Sequence, residues 1–311
     1  MATTASPAQL EVNPAEELGE YRSLWQDVWI QFRKHKGALA GLGILSFLIL
    51  FSAVGPFIYG ADPQYSDLLN LNKTPSAEFP FGTDAIGRDM FAMMMAGGRI
   101  SLMVGLVAMS IAVSVGTTIG ILAGYFPWLD GPLMRITDMF FALPLLPLLL
   151  VISLLFRDTL RAVFGPEIGV FLMIVTVIGL LSWMQTARIV RGEVLSIKQR
   201  EFVLAAKSIG TKEFTIMIRH IFPNVLGPVM VASALGVAGA IITESTLSFL
   251  GLGFPSDFPT WGRLLFESRD YISIYPARIV WPGMAISLTV LSVNFIGDGL
   301  RDALDPRLRG R

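Results

Sequence analysis

Six long apolar runs dominate the chain, at about Gly37–Ile58, Ile100–Ala123, Met139–Phe156, Ile168–Met184, Val225–Leu250 and Ile279–Ile296. About 20 apolar residues is the length a helix needs to cross a hydrocarbon core about 30 Å thick. No water is available inside a bilayer, so backbone N–H and C=O groups must be satisfied within the segment, as a helix does. The runs predict an all-α, polytopic membrane protein of six spans. Composition agrees: 53% of the 311 residues are hydrophobic and 15% charged, against about 25% charged in an ordinary soluble domain. Formal net charge is zero and Cys is absent, which argues against a nucleic-acid partner, a disulfide framework and thiolate metal sites. His35 and His220 are the two histidines and lie far apart in the chain, so no metal site is expected.

Taken in order, residues 1–17 are small, polar and acidic and read as a disordered tail. Leu18, Tyr21, Leu24, Trp25, Val28, Trp29 and Phe32 then recur at helical spacing, followed by Arg33, Lys34 and Lys36. Such a helix suits the headgroup region, lying flat; the alternative is packing on other cytoplasmic loops. The first run starts too late and is too long for a signal peptide, so it is expected to stay as an anchor. Residues 59–98 read as a polar loop, with Gly82-Thr83-Asp84 a turn and Arg88–Asp89 a local ion pair. In the second span Gly105, Gly116 and Gly120 mark close helix approach. A short link, Gly124–Asp138, follows, and Pro144 and Pro147 should kink the third span. Pro255–Pro276 reads as a loop. Near the end, Asp298, Arg301, Asp302 and Asp305 fall on one helix face, so Arg301 can bridge Asp298 and Asp305, with Pro306 stopping the helix.

Charge sets the expected orientation. With the N-terminus inside, sixteen of the twenty-four Lys and Arg fall in cytoplasmic segments and eight outside. The excess of positive charge on the inner side predicts both termini in the cytoplasm.

Between spans 4 and 5 lies the polar, basic stretch Glu201–Asn224. Phe202, Ala205, Ala206 and Ile209 share a helix face that the alanines leave shallow. Gly210 suits the left-handed residue after a helix. Thr211 can cap a second helix with Glu213 in its first turn. Phe214, Met217, Ile218 and Ile221 form a second stripe, and Pro223 ends it. The pattern is a helix–glycine–helix elbow outside the bilayer; a plain basic connector is equally open on pattern alone.

Ala205-Ala206, three residues, Gly210 and then Pro223 resembles the EAA loop of ABC-importer permease subunits. FGTDAIGRDMF, GGRISL, GYFPWLDGPLMRITDMFFALP and ITESTLSFLGLG are similar to the dipeptide, oligopeptide and nickel branch of that family, its C-type subunits. The likeness runs from Trp25 to Arg309. It implies the ABC transmembrane type-1 architecture: a tail and interfacial helix over 1–36, a first span at 37–58, a periplasmic loop at 59–98, a permease domain over 99–300 with a coupling loop at 188–224, and a cytoplasmic C-terminus from 301. In the family this loop docks into a cleft on a separate ATPase, so the resemblance makes Glu201, Leu204, Ala205, Ala206, Gly210 and Pro223 the expected coupling residues. Leu204 stands where the family usually has Glu, with Glu201 one turn earlier as a substitute; His220 and Phe222 stand where it has Ile and Leu. The implied partners are a second homologous permease, two ATPase subunits, an extracytoplasmic solute-binding protein and the lipid bilayer. ATP and Mg are expected in the partner subunits, with no cofactor on this chain. The family's solutes span dipeptides, oligopeptides, nickel, glutathione and some sugars or opines, and nothing in the sequence chooses among them.

The chain carries no G-x-x-x-x-G-K-[ST] phosphate loop, so ATP hydrolysis must come from a partner and the chain is not expected to be an enzyme. Glu244 lies within a span, where an ionisable group is costly. It reads either as a pathway group or as a structural acid, paired with a nearby Ser or Thr such as Thr243 or Ser245 or capping a helix break before the glycines, and the likeness of ITESTLSFLGLG to the family favours the scaffold. A secondary transporter would need ionisable relays in several spans. An intramembrane enzyme would need a nucleophile with a base, or paired acids. Neither pattern is present.

Overall fold

A computed structural model describes residues 24–304. Among them the regular structure is helical, and the extended geometry is one isolated bridge between Thr83 and Asp89. Five stretches are long and apolar enough to cross a membrane: Lys36–Tyr59, Met90–Tyr125, Pro166–Ile197, Glu213–Phe249 and Ala277–Leu304. A sixth is a broken pair, Pro127–Phe141 and Leu145–Phe164, whose axes meet at 82°.

Helix α1 (Leu24–Lys34) precedes α2 (Lys36–Tyr59), which is capped by His35, whose Nδ1 accepts from the Ala38 N–H at 2.9 Å. Val28 and Phe32 of α1 are buried with Ala38 and Ala303. That face of α1 is therefore taken by protein, and Trp29 and Ile30 are left exposed. Leu18, Tyr21, the acidic tail and the side chain of Trp25 lie outside the described residues.

Helix α3 (Met90–Tyr125) begins ten residues earlier than the apolar run suggests. Asp89 starts it, with Oδ1 accepting from the N–H groups of Phe91 (2.8 Å) and Ala92 (3.4 Å). Asp89 is thus a helix cap and not the partner of Arg88. Arg88 instead donates from Nε to Asp84 (2.6 Å) and from Nη2 to Glu267 (2.7 Å). Met90, Met93 and Met94, expected in a polar loop, are buried against Trp261 and Leu264.

Helix α3 is the centre of the molecule and pairs most extensively with α7 (Trp183–Ile197). The row Gly116, Gly120, Gly124 makes this contact. A Cβ at Gly116 would lie 2.6 Å from the Trp183 carbonyl, and one at Gly120 2.7 Å from the Ala187 carbonyl. Small residues one turn apart let the backbones approach this closely.

The stretch Gly124–Asp138 is not a link. Most of it is α4 (Pro127–Phe141), with Pro127 in the first turn, where its missing N–H costs nothing. The corner follows at Ala142–Pro144, because the residue before a proline is pushed out of the helical region. The expected kink is a full corner: α5 (Leu145–Phe164) starts with Pro144 as its N-cap, and α4 and α5 meet at 82° as a bent pair, where a single helix from Met139 was expected. Helix α6 (Pro166–Leu180) stops for two residues before α7, so residues 188–197, expected in the coupling loop, are helical.

The last three main helices are α10 (Phe222–Phe249), the short α11 (Trp261–Ser268) inside the expected loop Pro255–Pro276, and α12 (Ala277–Leu304). Arg301 has no ion pair with Asp298 among the described residues. Asp302 instead lies 3.7 Å from His35 Nε2. Asp305 and Pro306 lie outside the described residues.

Candidate functional site

The elbow is built from α8 (Glu201–Ser208) and α9 (Glu213–Ile216). Helix α8 ends in a Schellman pair: the Gly210 N–H bonds the Lys207 carbonyl (3.0 Å) and the Thr211 N–H bonds the Ala206 carbonyl (3.1 Å). Gly210 has φ 78°, where a Cβ is strained, although a Cβ there would meet nothing within 4 Å. Its constraint is backbone conformation, not space. Lys212, not Thr211, occupies the N-cap of α9, without a side-chain bond, and Glu213 lies in the first turn.

The faces sort differently from the sequence reading. Val203 and Ala206 point inward and pack with Val190, Val194, Ile216 and Ile221. Phe202, Leu204, Ala205 and Ile209 are exposed, Ile209 at 83%. On the second helix Ile216 and Ile221 are buried, whereas Phe214 and Ile218 are exposed. Phe202, Leu204, Ile209 and Phe214 are thus large apolar side chains left uncovered among exposed Glu201, Lys207, Lys212 and Glu213, with Phe202 and Ile209 on one side of α8 and Leu204 nearly opposite. Ala206 belongs to the seat beneath the exposed side of the elbow.

Pro223 does not end the second helix. Met217–Ile221 form a wide π turn in which the Phe222 N–H bonds the Met217 carbonyl, and α10 continues from it with Pro223 in its first turn. The wide turn accommodates the ring and the missing N–H of Pro223. Glu213–Phe249 thus runs as one element that joins the elbow to the fifth span. The seat is pinned to α3 and α4. Arg191 donates to Asp130 from Nε (2.5 Å) and Nη2 (2.6 Å), and Lys198 Nζ donates to the Gly124 carbonyl (2.8 Å).

Glu244 is fully buried at the other end of α10. It accepts from Ser248 (2.7 Å), Ser101 (3.3 Å) and Ser245 (3.4 Å). Ser101 also accepts from the Trp261 N–H (3.2 Å), and Thr260, the N-cap of α11, lies 3.5 Å from Ser248. The carboxylate therefore ties α3, α10 and α11 together, in line with a structural role. Thr243 is not a partner; its hydroxyl bonds the Gly239 carbonyl. Ser101 and Thr260 were missed in the sequence because they come from distant segments.

A cavity of about 1000 Å³ opens between the α4–α5 corner, the α6–α7 break, α10 and α12. Its lining is mostly apolar, with Ser182, Gln185, Thr186, Thr243, Glu193 and Arg301 as polar members.

Residues 116–310 match the model of the binding-protein-dependent transport system inner membrane component, and residues 23–75 match that of the N-terminal TM domain of oligopeptide transport permease C. The chain is 38% identical over 297 residues to the dipeptide transport system permease protein DppC of Alkalihalophilus pseudofirmus, covering 95% of this chain and 94% of the relative. It is 38% identical over 305 residues to the oligopeptide transport system permease protein OppC of Bacillus subtilis, covering 97% and 96%. It is also 38% identical over 305 residues to the glutathione transport system permease protein GsiD of Pectobacterium atrosepticum, covering 97% of each. Together with the helical, multi-pass architecture, these matches establish that the chain belongs to the inner-membrane components of binding-protein-dependent transport systems, as a transport permease subunit of an ABC importer and not an enzyme.

Proposed function

We propose that this chain forms half of the translocation pathway for a peptide or a related small solute, and that the α8–α9 elbow couples it to an ATPase subunit. The observation that carries the coupling is the exposure of Phe202, Leu204, Ile209 and Phe214, large apolar side chains left uncovered on a segment rich in charge. An apolar patch rimmed by polar residues fits a protein partner. Leu204 makes the contact apolar at the position where the family usually has Glu, and Glu201 supplies a carboxylate one turn earlier. Gly210 sets the angle between the two elbow helices, and the continuous element from Glu213 to Phe249 carries the motion into the membrane.

The full assembly has a second, similar permease, two ATPase subunits that bind ATP and Mg, and an extracytoplasmic solute-binding protein. Both termini and the elbow face the cytoplasm, supported by the bias of positive charge. The relatives are named for dipeptide, oligopeptide and glutathione transport, which supports a peptide-like solute. The sparse polar lining of the cavity leaves the choice among such solutes mainly to the binding protein. Reconstitution with its ATPase and binding-protein partners should give ATP-dependent uptake of a radiolabelled peptide. Uptake driven by an ion gradient without ATP would sink the reading.

A further inference from the structure

In the orientation proposed above, the arginines toward the outer side are bonded, with two exceptions. Arg88 and Arg263 share Glu267, and Arg99 donates to the carbonyls of Ser52 and Ala53. Arg278 donates to Asn72 and to the Thr83 carbonyl, and Arg269 pairs with Asp270. Arg157 and Arg161 of α5 have no hydrogen bond or ion pair among the described residues, and the Arg157 Nε is buried without a partner.

Leu149 and Ser153, the buried residues of α5, are followed at the same four-residue interval by Arg157 and Arg161. Both arginines thus continue the side of the helix that faces protein. Arg161, Asp158 and Arg263 are the charged groups within electrostatic reach of Arg157, and two of them are cations. Asp158 is exposed, about 100° around the helix from Arg157. Glu167, at the start of α6, is exposed as well, and neither acid forms an ion pair among the described residues. Both oxygens of Glu267 are already taken, Oε2 by Arg88 (2.7 Å) and Oε1 by Arg263 (2.8 Å). Like charges one turn apart repel, and a buried donor without an acceptor is costly. This corner of the molecule therefore holds an excess of donors, one of them turned inward, and lacks an acceptor.

We propose that Arg157 and Arg161 form an oxyanion site, and that its ligand is the carboxylate of the incoming solute, received near the outer end of α5 on its way to the central cavity. Guanidinium groups hold a carboxylate through a planar fork of N–H donors. Leu145 and Leu148 of the same helix line the cavity, and Arg157 lies about 14 Å further out than Leu148 at 1.5 Å per residue. The site rests on the importer reading and narrows it to solutes bearing a free carboxylate. A lipid phosphate is the other source of an oxyanion here; the burial of Nε on the protein-facing side of α5 favours the solute.

Phe164 is exposed, two turns beyond Arg157 on the same side of α5. The chain has no Cys, so Phe164→Cys in the assembled importer gives a single thiol on this subunit beside the site. In phosphatidylcholine vesicles, dialanine at millimolar concentration should slow its modification by an uncharged maleimide severalfold, whereas dialanine amide should not. Adding Arg157→Gln should abolish the protection, and Arg157→Lys, which keeps the charge, should retain part of it. The protection should persist in vesicles containing phosphatidylglycerol. No protection by dialanine, equal protection by the amide, or undiminished protection with Arg157→Gln would overturn the proposal. So would slow modification in phosphatidylglycerol vesicles that dialanine leaves unchanged, which would assign the site to lipid. The importer reading fails separately: it falls if ATP drives no peptide uptake, whatever the labelling shows.

Discussion

The Ser101 hydroxyl on α3 donates to the Glu244 carboxylate on α10 across 3.3 Å, joining residues 143 apart in sequence. That bond lies under the N-terminus of α11, whose Trp261 N–H bonds the same hydroxyl. Glu244→Ala should leave three serine hydroxyls short of their acceptor, at a cost of about 1–3 kcal/mol. The purified importer should melt several degrees lower, while Glu244→Gln, which keeps an acceptor oxygen and the shape, should recover most of the loss. Thermal unfolding of both variants checks this. A wild-type melting point for Glu244→Ala would remove the structural role.

Gly210 gives a second expectation. At φ 78° a β-branched side chain is a steric outlier, and strain of this kind costs about 1–3 kcal/mol. Space around the residue is open, so Gly210→Ala should be milder than Gly210→Val. Neither should lower the amount of protein in the membrane, but Gly210→Val should depress substrate-stimulated ATPase activity. Equal activity in both variants and the wild type would remove the turn from the mechanism.

The Arg191–Asp130 pair joins α7 to α4 with two hydrogen bonds. Both side chains keep about a third of their surface or less exposed, 34% and 26%. A double-mutant cycle with Arg191→Gln and Asp130→Asn should give a coupling of about 1 kcal/mol, within the range for residues in direct contact. Additive losses in thermal stability would show that the pair does not hold the corner.

Orientation is open to single-cysteine labelling. Thr211→Cys should react only with a reagent on the cytoplasmic side and Ser76→Cys only with one on the outer side. The reverse at either position would contradict the arrangement with both termini inside.

Much of the fold is legible in the sequence because apolar length and small-residue rows are local signals. The row Gly116–Gly120 meets α7 as its spacing suggests, and Gly210 takes the positive φ that its place after α8 requires. The start of α3 was hidden because Gly97, Gly98 and Arg99 separate Met90–Ala96 from the apolar run, and nothing local shows Met90–Met94 packing on Trp261. Ala206 shows the limit of a face drawn from periodicity. Alanines suit a docking surface and a tight interior equally, and only the position of Val194 and Ile216 decides that Ala206 faces in. Pro223 misled for a related reason. Its effect is absorbed by a π turn that no residue pattern announces. The partners of Glu244 lay in three segments that only folding brings together.

The coupling role of the elbow is the central claim, and Ala205 tests it most directly. Ala205 is exposed on α8 whereas its neighbour Ala206 is seated in the interior, so Ala205→Trp adds bulk to the exposed side of α8 without disturbing the packing beneath it. The measurement is substrate-stimulated ATPase activity, with peptide uptake, of the reconstituted importer carrying Ala205→Trp. The account predicts normal abundance and normal solute capture by the free binding protein, with stimulation and uptake reduced at least tenfold. Full stimulation and full uptake with the tryptophan in place would contradict it.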